Sequence, residues 1–94
     1  MLKGYRILDL RYKTKSGEID LIVRKRELVA FVEVKARRLE GLAIDAVGYE
    51  TQNRIRSASE HWLSRRRDVH HLTLRYDIVA VLPGRLPRHF RDAF

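Results

Sequence analysis

Two carboxylates and a lysine sit on stretches that are otherwise apolar. Asp20 lies in Gly17-Glu18-Ile19-Asp20-Leu21-Ile22-Val23, and Glu33 and Lys35 lie in Val29-Ala30-Phe31-Val32-Glu33-Val34-Lys35. A β-strand sends alternate side chains to one face, so Glu33 and Lys35 project together while Val32 and Val34 point the other way. Charges on so hydrophobic a strand need a partner or a bound ion, because burying an uncompensated charge is costly. Asp20 and Glu33 offer hard oxygen ligands suited to Mg²⁺ or Mn²⁺, with the Val34 carbonyl as a third ligand and Glu18 as an outer or second-metal ligand. Lys35 is placed to hold or polarise an attacking water and to counter charge as it develops. Phosphodiester hydrolysis needs these services: a nucleophilic water, neutralised phosphate charge and help for the leaving oxygen. The same residues also fit a structural reading, in which Lys35 bridges Glu33 or Asp20 in an ion pair at the end of a sheet.

The elements that must position these groups follow from hydrophobic periodicity. Tyr5 to Tyr12 reads as a first strand, with Leu8, Leu10 and Tyr12 on one face and Tyr5, Ile7, Asp9 and Arg11 on the other. Thr14-Lys15-Ser16-Gly17 makes a turn into a second strand, Glu18 to Arg24, which alternates Ile19, Leu21 and Val23 against Glu18, Asp20 and Ile22. The short charged link Arg24-Lys25-Arg26-Glu27 leads into the third strand, Leu28 to Lys35, so strands two and three pair as an antiparallel hairpin. That pairing brings Asp20 and Glu33 together at one end of the sheet.

After Gly41 the period changes. Ile44, Val47, Thr51, Ile55, Ala58 and Trp62 describe one face of a helix running to about Arg66, with a break near Tyr49 marked by Gly48. A fourth strand spans Leu72 to Leu82, and its apolar run Ile78 to Val81 predicts an interior position. The basic tail carries Phe90 and Phe94, apolar enough to dock on the domain. The order strand, strand, strand, helix, strand predicts one α/β domain over residues 1–94 with a mixed sheet and a helix on one face. The second face requires a cover of its own, from an N-terminal helix, the tail or a second subunit.

The 94-residue chain is 45% hydrophobic and 34% charged, the composition of a folded domain, and contains no cysteine, which removes disulfides and thiolate zinc sites. No apolar run is long enough to span a bilayer, and the first residues lack the apolar core of a signal peptide, so a cytoplasmic location is expected. A formal charge of +8 and a pI near 10.4 predict a polyanionic partner, with nucleic acid the commonest, rather than a membrane.

Five blocks resemble the YraN family of small bacterial proteins: Gly4-Tyr5-Arg6-Ile7-Leu8, Gly17 to Ile22, Phe31 to Arg37, Arg75 to Val81 and Asp92-Ala93-Phe94. That family is assigned to the PD-(D/E)xK nuclease superfamily and is similar to archaeal Holliday-junction resolvases. The resemblance covers nearly the whole chain with its blocks in order. It implies a restriction-endonuclease-like core in which Asp20 and Glu33 bind metal and Lys35 is the catalytic lysine. Family members usually begin with a helix carrying a Glu; this chain starts at Met1-Leu2-Lys3, almost on the first strand, so that helix is expected to be absent. Arg11 stands where the family usually has Asn, and Thr51 where a Lys commonly precedes the Gln matched by Gln52.

The expected function is a Mg²⁺-dependent endonuclease acting on DNA, with branched or structured DNA implied by the resolvase resemblance and a symmetric homodimer favoured because two strands must be cut. Two other readings fit: a nuclease-like module that binds nucleic acid without cutting it, and a small basic scaffold or RNA-associated protein. Candidate nucleic-acid contacts are Gln52 and Arg56, which share a helix face, and the run Arg65-Arg66-Arg67. Solvated helix surface is the competing reading for both. Asp77 is expected in a structural buried pair, with Arg75 or an arginine elsewhere, rather than as a third metal ligand, and Trp62 and Tyr49 in the core or at its edge.

Overall fold

Polar turns separate runs of β-branched and aromatic residues early in the chain, and three strands form there: β1 (Arg6–Lys13), β2 (Glu18–Lys25) and β3 (Leu28–Ala36). They are followed by helix α1 (Tyr49–Ser64) and strands β4 (Thr73–Val81) and β5 (Arg88–Phe90). The structure, a computed structural model, describes residues 4–36, 48–67 and 69–94. The helix expected over Ile44 and Val47 lies outside the described residues; from Gly48, whose carbonyl accepts the Gln52 amide at 3.0 Å, the chain is helical as far as Ser64.

The five strands form one mixed sheet in the order β1-β2-β3-β4-β5. β1, β2 and β3 make an antiparallel meander, β4 runs parallel to β3, and β5 returns antiparallel to β4. A parallel neighbour cannot be reached by a tight turn, and α1 lies in the crossover that reaches it. Central position explains why Val29, Ala30, Phe31 and Val32 are fully buried, as are Val79 and Ala80.

Helix α1 buries Ile55, Ala58, Ser59 and Trp62, a spacing that puts one stripe on the sheet. That stripe packs on Ile19, Ile22, Val29 and Phe31. Phe31 meets Trp62 edge-on at 5.7 Å between centroids and stacks on Tyr76 at 5.5 Å. The other sheet face gathers Leu21, Val23, Ala30, Val32 and Val79, with Tyr5 against them. The tail docks as expected: β5 pairs with β4, and Phe94 packs against Tyr76 at 5.4 Å.

Three readings of the sequence need correction. The alternation of β1 fails at a register shift between Ile7 and Asp9, so Leu8 and Tyr12 pack on the helix side while Leu10 sits opposite Leu21 on the other side and is exposed. The alternation of β2 fails at Asp20: Ile19 joins the helix-side core and Leu21 the opposite one, although they are two residues apart. Arg11 and Asp20 lie between the pairs Leu10↔Leu21 and Tyr12↔Ile19, and Arg11 has φ 52°. A left-handed residue within a strand breaks the regular pleat and re-aims the side chains beside it. Tyr49 is 77% exposed rather than part of the core, because it opens the helix on the side away from the sheet stripe.

Candidate functional site

Asp20 is the point where β2 leaves β3. The ladder between these strands runs from Lys25↔Leu28 to Leu21↔Val32, and the next step places Asp20 beside Glu33. There the Val34 amide donates to Asp20 Oδ2 at 2.8 Å instead of to a strand carbonyl. A strand residue sends its N–H and C=O to the same edge, so the Val34 carbonyl also lies on the β2 side.

Glu33 follows Phe31 on the helix side of β3 and is buried. Its pKa is pushed up to about 7 by burial first, then by a hydrogen bond to the Asp20 carboxyl and the Asp20 charge, with Lys35 pulling the other way. Lys35 Nζ lies 3.3 Å from Glu33 Oε2. Near neutrality, therefore, two carboxyls face each other and one ammonium group offsets them only in part. That is the electrostatic state of a site with room for more positive charge.

The carboxyls open into a cleft of about 630 Å³ between the β1–β2 turn and the first turns of α1. Glu18 lines this cleft but spends its charge on Lys13 at 3.8 Å, a solvent-exposed pair. Among the described residues no three acidic or histidine side chains converge, so Asp20 and Glu33 are the pair that the fold brings together. Lys35 is not part of the cleft lining and reaches the site through Glu33.

The helix candidates lie elsewhere. Arg56 bonds Gln52 at 3.4 Å and covers the rings of Tyr76 and Phe94 at 5.3 and 5.5 Å, so its guanidinium packs the tail onto the helix; neither residue lines the cleft. Arg65, Arg66 and Arg67 are exposed beyond the helix end, about 20 Å along the axis from Thr51 at the cleft. Arg66 covers Trp62 at 4.1 Å. Sequence reasoning missed Lys15 and Arg54, which do line the cleft; the signal was Arg54 one turn before Ala58 on the helix and Lys15 at the tip of the turn.

The β1–β2 turn is pinned. Thr14 Oγ1 accepts the amides of Ser16 and Gly17 at 3.2 and 3.1 Å, Ser16 shares a hydrogen bond with Ser57 at 2.8 Å, and Tyr12 shares one with His61 at 2.7 Å. A Cβ on Gly17 would lie 2.5 Å from the Arg54 carbonyl oxygen, so only glycine lets the turn approach the helix this closely.

Asp77 forms the expected structural pair, on the face away from α1. Arg75 donates to both its oxygens at 2.8 Å, His89 bonds it at 2.7 Å and the Asp92 amide at 2.9 Å. Burial raises its pKa, but Arg75, the Asp92 amide and His89 together outweigh that and hold it below the usual aspartate value. Arg75 also donates to the Tyr5 hydroxyl at 2.8 Å.

Fold and cleft define a small α/β protein whose mixed sheet carries a carboxylate pair and a lysine at one end. Its sequence matches the family model described as "Uncharacterised protein family UPF0102" over residues 1–81, and the chain belongs to that family, the YraN family of the motifs above. Over all 94 residues it is 64% identical to a UPF0102 protein of Agrobacterium fabrum, 63% to one of Rhizobium johnstonii and 60% to one of Rhizobium meliloti. In each case the match covers 77% of the relative. Among the described residues no helix is long and apolar enough to cross a membrane.

Proposed function

We propose that this chain is a Mg²⁺- or Mn²⁺-dependent endonuclease of the PD-(D/E)xK type that hydrolyses phosphodiester bonds in DNA. The observation that carries this reading is the meeting of half-buried Asp20 with buried Glu33 beside Lys35, with the Glu33 carboxyl pushed up to about 7 by burial and by Asp20. Paired hard oxygens with a deficit of positive charge fit a divalent cation, held by Asp20, Glu33 and the Val34 carbonyl. When bound, the cation would supply a reactive water and neutralise charge on the scissile phosphate.

The chain's own groups have separate tasks. Asp20 is held in place by the Val34 amide, so its carboxylate meets the site in one orientation. Lys35, 3.3 Å from Glu33, can hold the attacking water and counter charge on the phosphate. The +8 charge supports a polyanionic substrate. Branched DNA and a symmetric homodimer, acting in the cytoplasm, extend the reading through the resolvase likeness of the PD-(D/E)xK group.

The test is calorimetric titration with Mg²⁺ and Mn²⁺ together with cleavage of labelled duplex and four-way-junction DNA, using wild type, Glu33→Gln and Lys35→Ala. Expected are divalent binding lost in Glu33→Gln, and cleavage lost in both variants while Lys35→Ala still binds the ion. A wild-type protein that binds no divalent ion and cuts neither DNA overturns the reading.

A further inference from the structure

We infer that the β1–β2 turn is a preformed ridge that grips the DNA backbone beside the carboxylates through Lys13, Lys15 and Arg54. The inference rests on the nucleic-acid reading above and names the surface that would hold the substrate. Three independent features converge on it.

The first is charge. Lys13, Lys15 and Arg54 line the cleft that holds Asp20 and Glu33. Lys13 is parked on Glu18 at 3.8 Å and Arg54 on Glu50 at 2.9 Å, both in exposed pairs. Exposed pairs contribute little, so a phosphate can replace the carboxylate at small cost. The second is shape. A second cleft of about 550 Å³, lined by residues 13 to 16 and His61, lies on the other side of the same turn. The turn is thus a ridge with a groove on each flank, which suits a polymer laid across it better than a single phosphate held in a pocket.

The third is rigidity. The Thr14 hydroxyl consumes the amides of Ser16 and Gly17, Ser16 is tied to Ser57, and Gly17 touches the helix backbone at Arg54. Lys13 and Lys15 therefore stand on a fixed backbone, and only their side chains lose freedom on binding. Arg65, Arg66 and Arg67, the densest basic run in the sequence, line no part of the cleft, and Arg66 is turned onto Trp62.

The test measures binding of a fluorescent 30-base-pair DNA duplex in EDTA, from 50 to 300 mM salt, so that cleavage plays no part. Compared are wild type, Lys15→Glu, the triple variant Lys13→Ala/Lys15→Ala/Arg54→Ala, and Arg65→Ala/Arg66→Ala/Arg67→Ala. The ridge triple variant should lose about tenfold or more in affinity at 100 mM salt, with a salt slope flatter by about two to three. Lys15→Glu, at an exposed tip that no fold contact needs, should lose affinity with an unchanged circular-dichroism spectrum. The helix-end variant should stay within about threefold of wild type. Ridge variants that keep wild-type affinity and slope, or that lose no more than the helix-end variant, overturn the inference even if the protein cuts DNA. A ridge response in a protein that never cuts leaves the inference standing while the endonuclease reading falls.

Discussion

The Val34 amide donates to Asp20 Oδ2 at 2.8 Å, so a side chain takes the hydrogen bond that a β2 carbonyl would otherwise accept. Asp20 is therefore a structural cap on the end of a ladder as well as half of a carboxylate pair. The two roles separate by substitution. Asp20→Asn keeps an acceptor for the amide and should stay within about 1 kcal/mol of wild type in urea unfolding, whereas Asp20→Ala should lose about 1–2 kcal/mol. Equal losses in both variants would remove the capping role.

Glu33 makes the protein pH-sensitive. Its folded pKa of about 7 lies above the ordinary 4.5, so the folded state holds the proton more tightly. The stabilisation is complete below about pH 4.5 and is lost as pH rises to about 7, by about 3 kcal/mol at most. Asp77 has the opposite sign, stabilising above its usual range and failing only in acid, outside this window. In EDTA, the urea midpoint of Glu33→Gln should gain on wild type steadily between pH 5 and 7 and then level off. A constant difference across that range would contradict the raised pKa.

Gly17→Ala places a methyl group 2.5 Å from the Arg54 carbonyl oxygen, which is backbone and cannot rotate away. The turn must lift from the helix, at a cost of about 1–3 kcal/mol of the kind seen on overpacking. Thermal unfolding of Gly17→Ala against Gly48→Ala is the check, since a Cβ at Gly48 meets nothing within 4 Å. Similar melting points would show that the close approach carries no weight.

How far the sequence was readable can be judged at Asp20. Period-two alternation located all three strands of the meander, and the hairpin between β2 and β3 brought Asp20 to Glu33 as expected. Alternation could not foresee that Ile19 and Leu21 face opposite cores, because the break in the pleat lies where Asp20 stands between the paired residues opposite Arg11, a left-handed residue on another strand. Lys15 and Arg54 were hidden for a similar reason. One sits in a turn and the other on a helix, and only the Gly17 contact brings them to one cleft. Arg56 looked like a solvent-facing cation, yet the rings it covers come from β4 and the tail, 20 or more residues away in the chain.

Arg11 holds φ 52°, a left-handed conformation that costs a non-glycine residue about 1–2 kcal/mol. Asparagine tolerates it better, since its short polar side chain suits the left-handed region. Arg11→Asn should therefore raise stability by about 0.5–1 kcal/mol, read from the urea midpoint. A variant less stable than wild type would mean that the arginine side chain contributes more than its backbone costs.

Asp77 also ties the end of the chain to the middle of the sheet. Its carboxylate is fully buried, and two of its ligands, His89 and the Asp92 amide, come 12 and 15 residues later in the chain. Lifting the tail away would leave that buried charge to Arg75 alone, and a charge short of partners in an apolar interior is costly. The short last strand thereby works as a latch, fastened by its pairing with β4 and by the buried carboxylate it helps to satisfy.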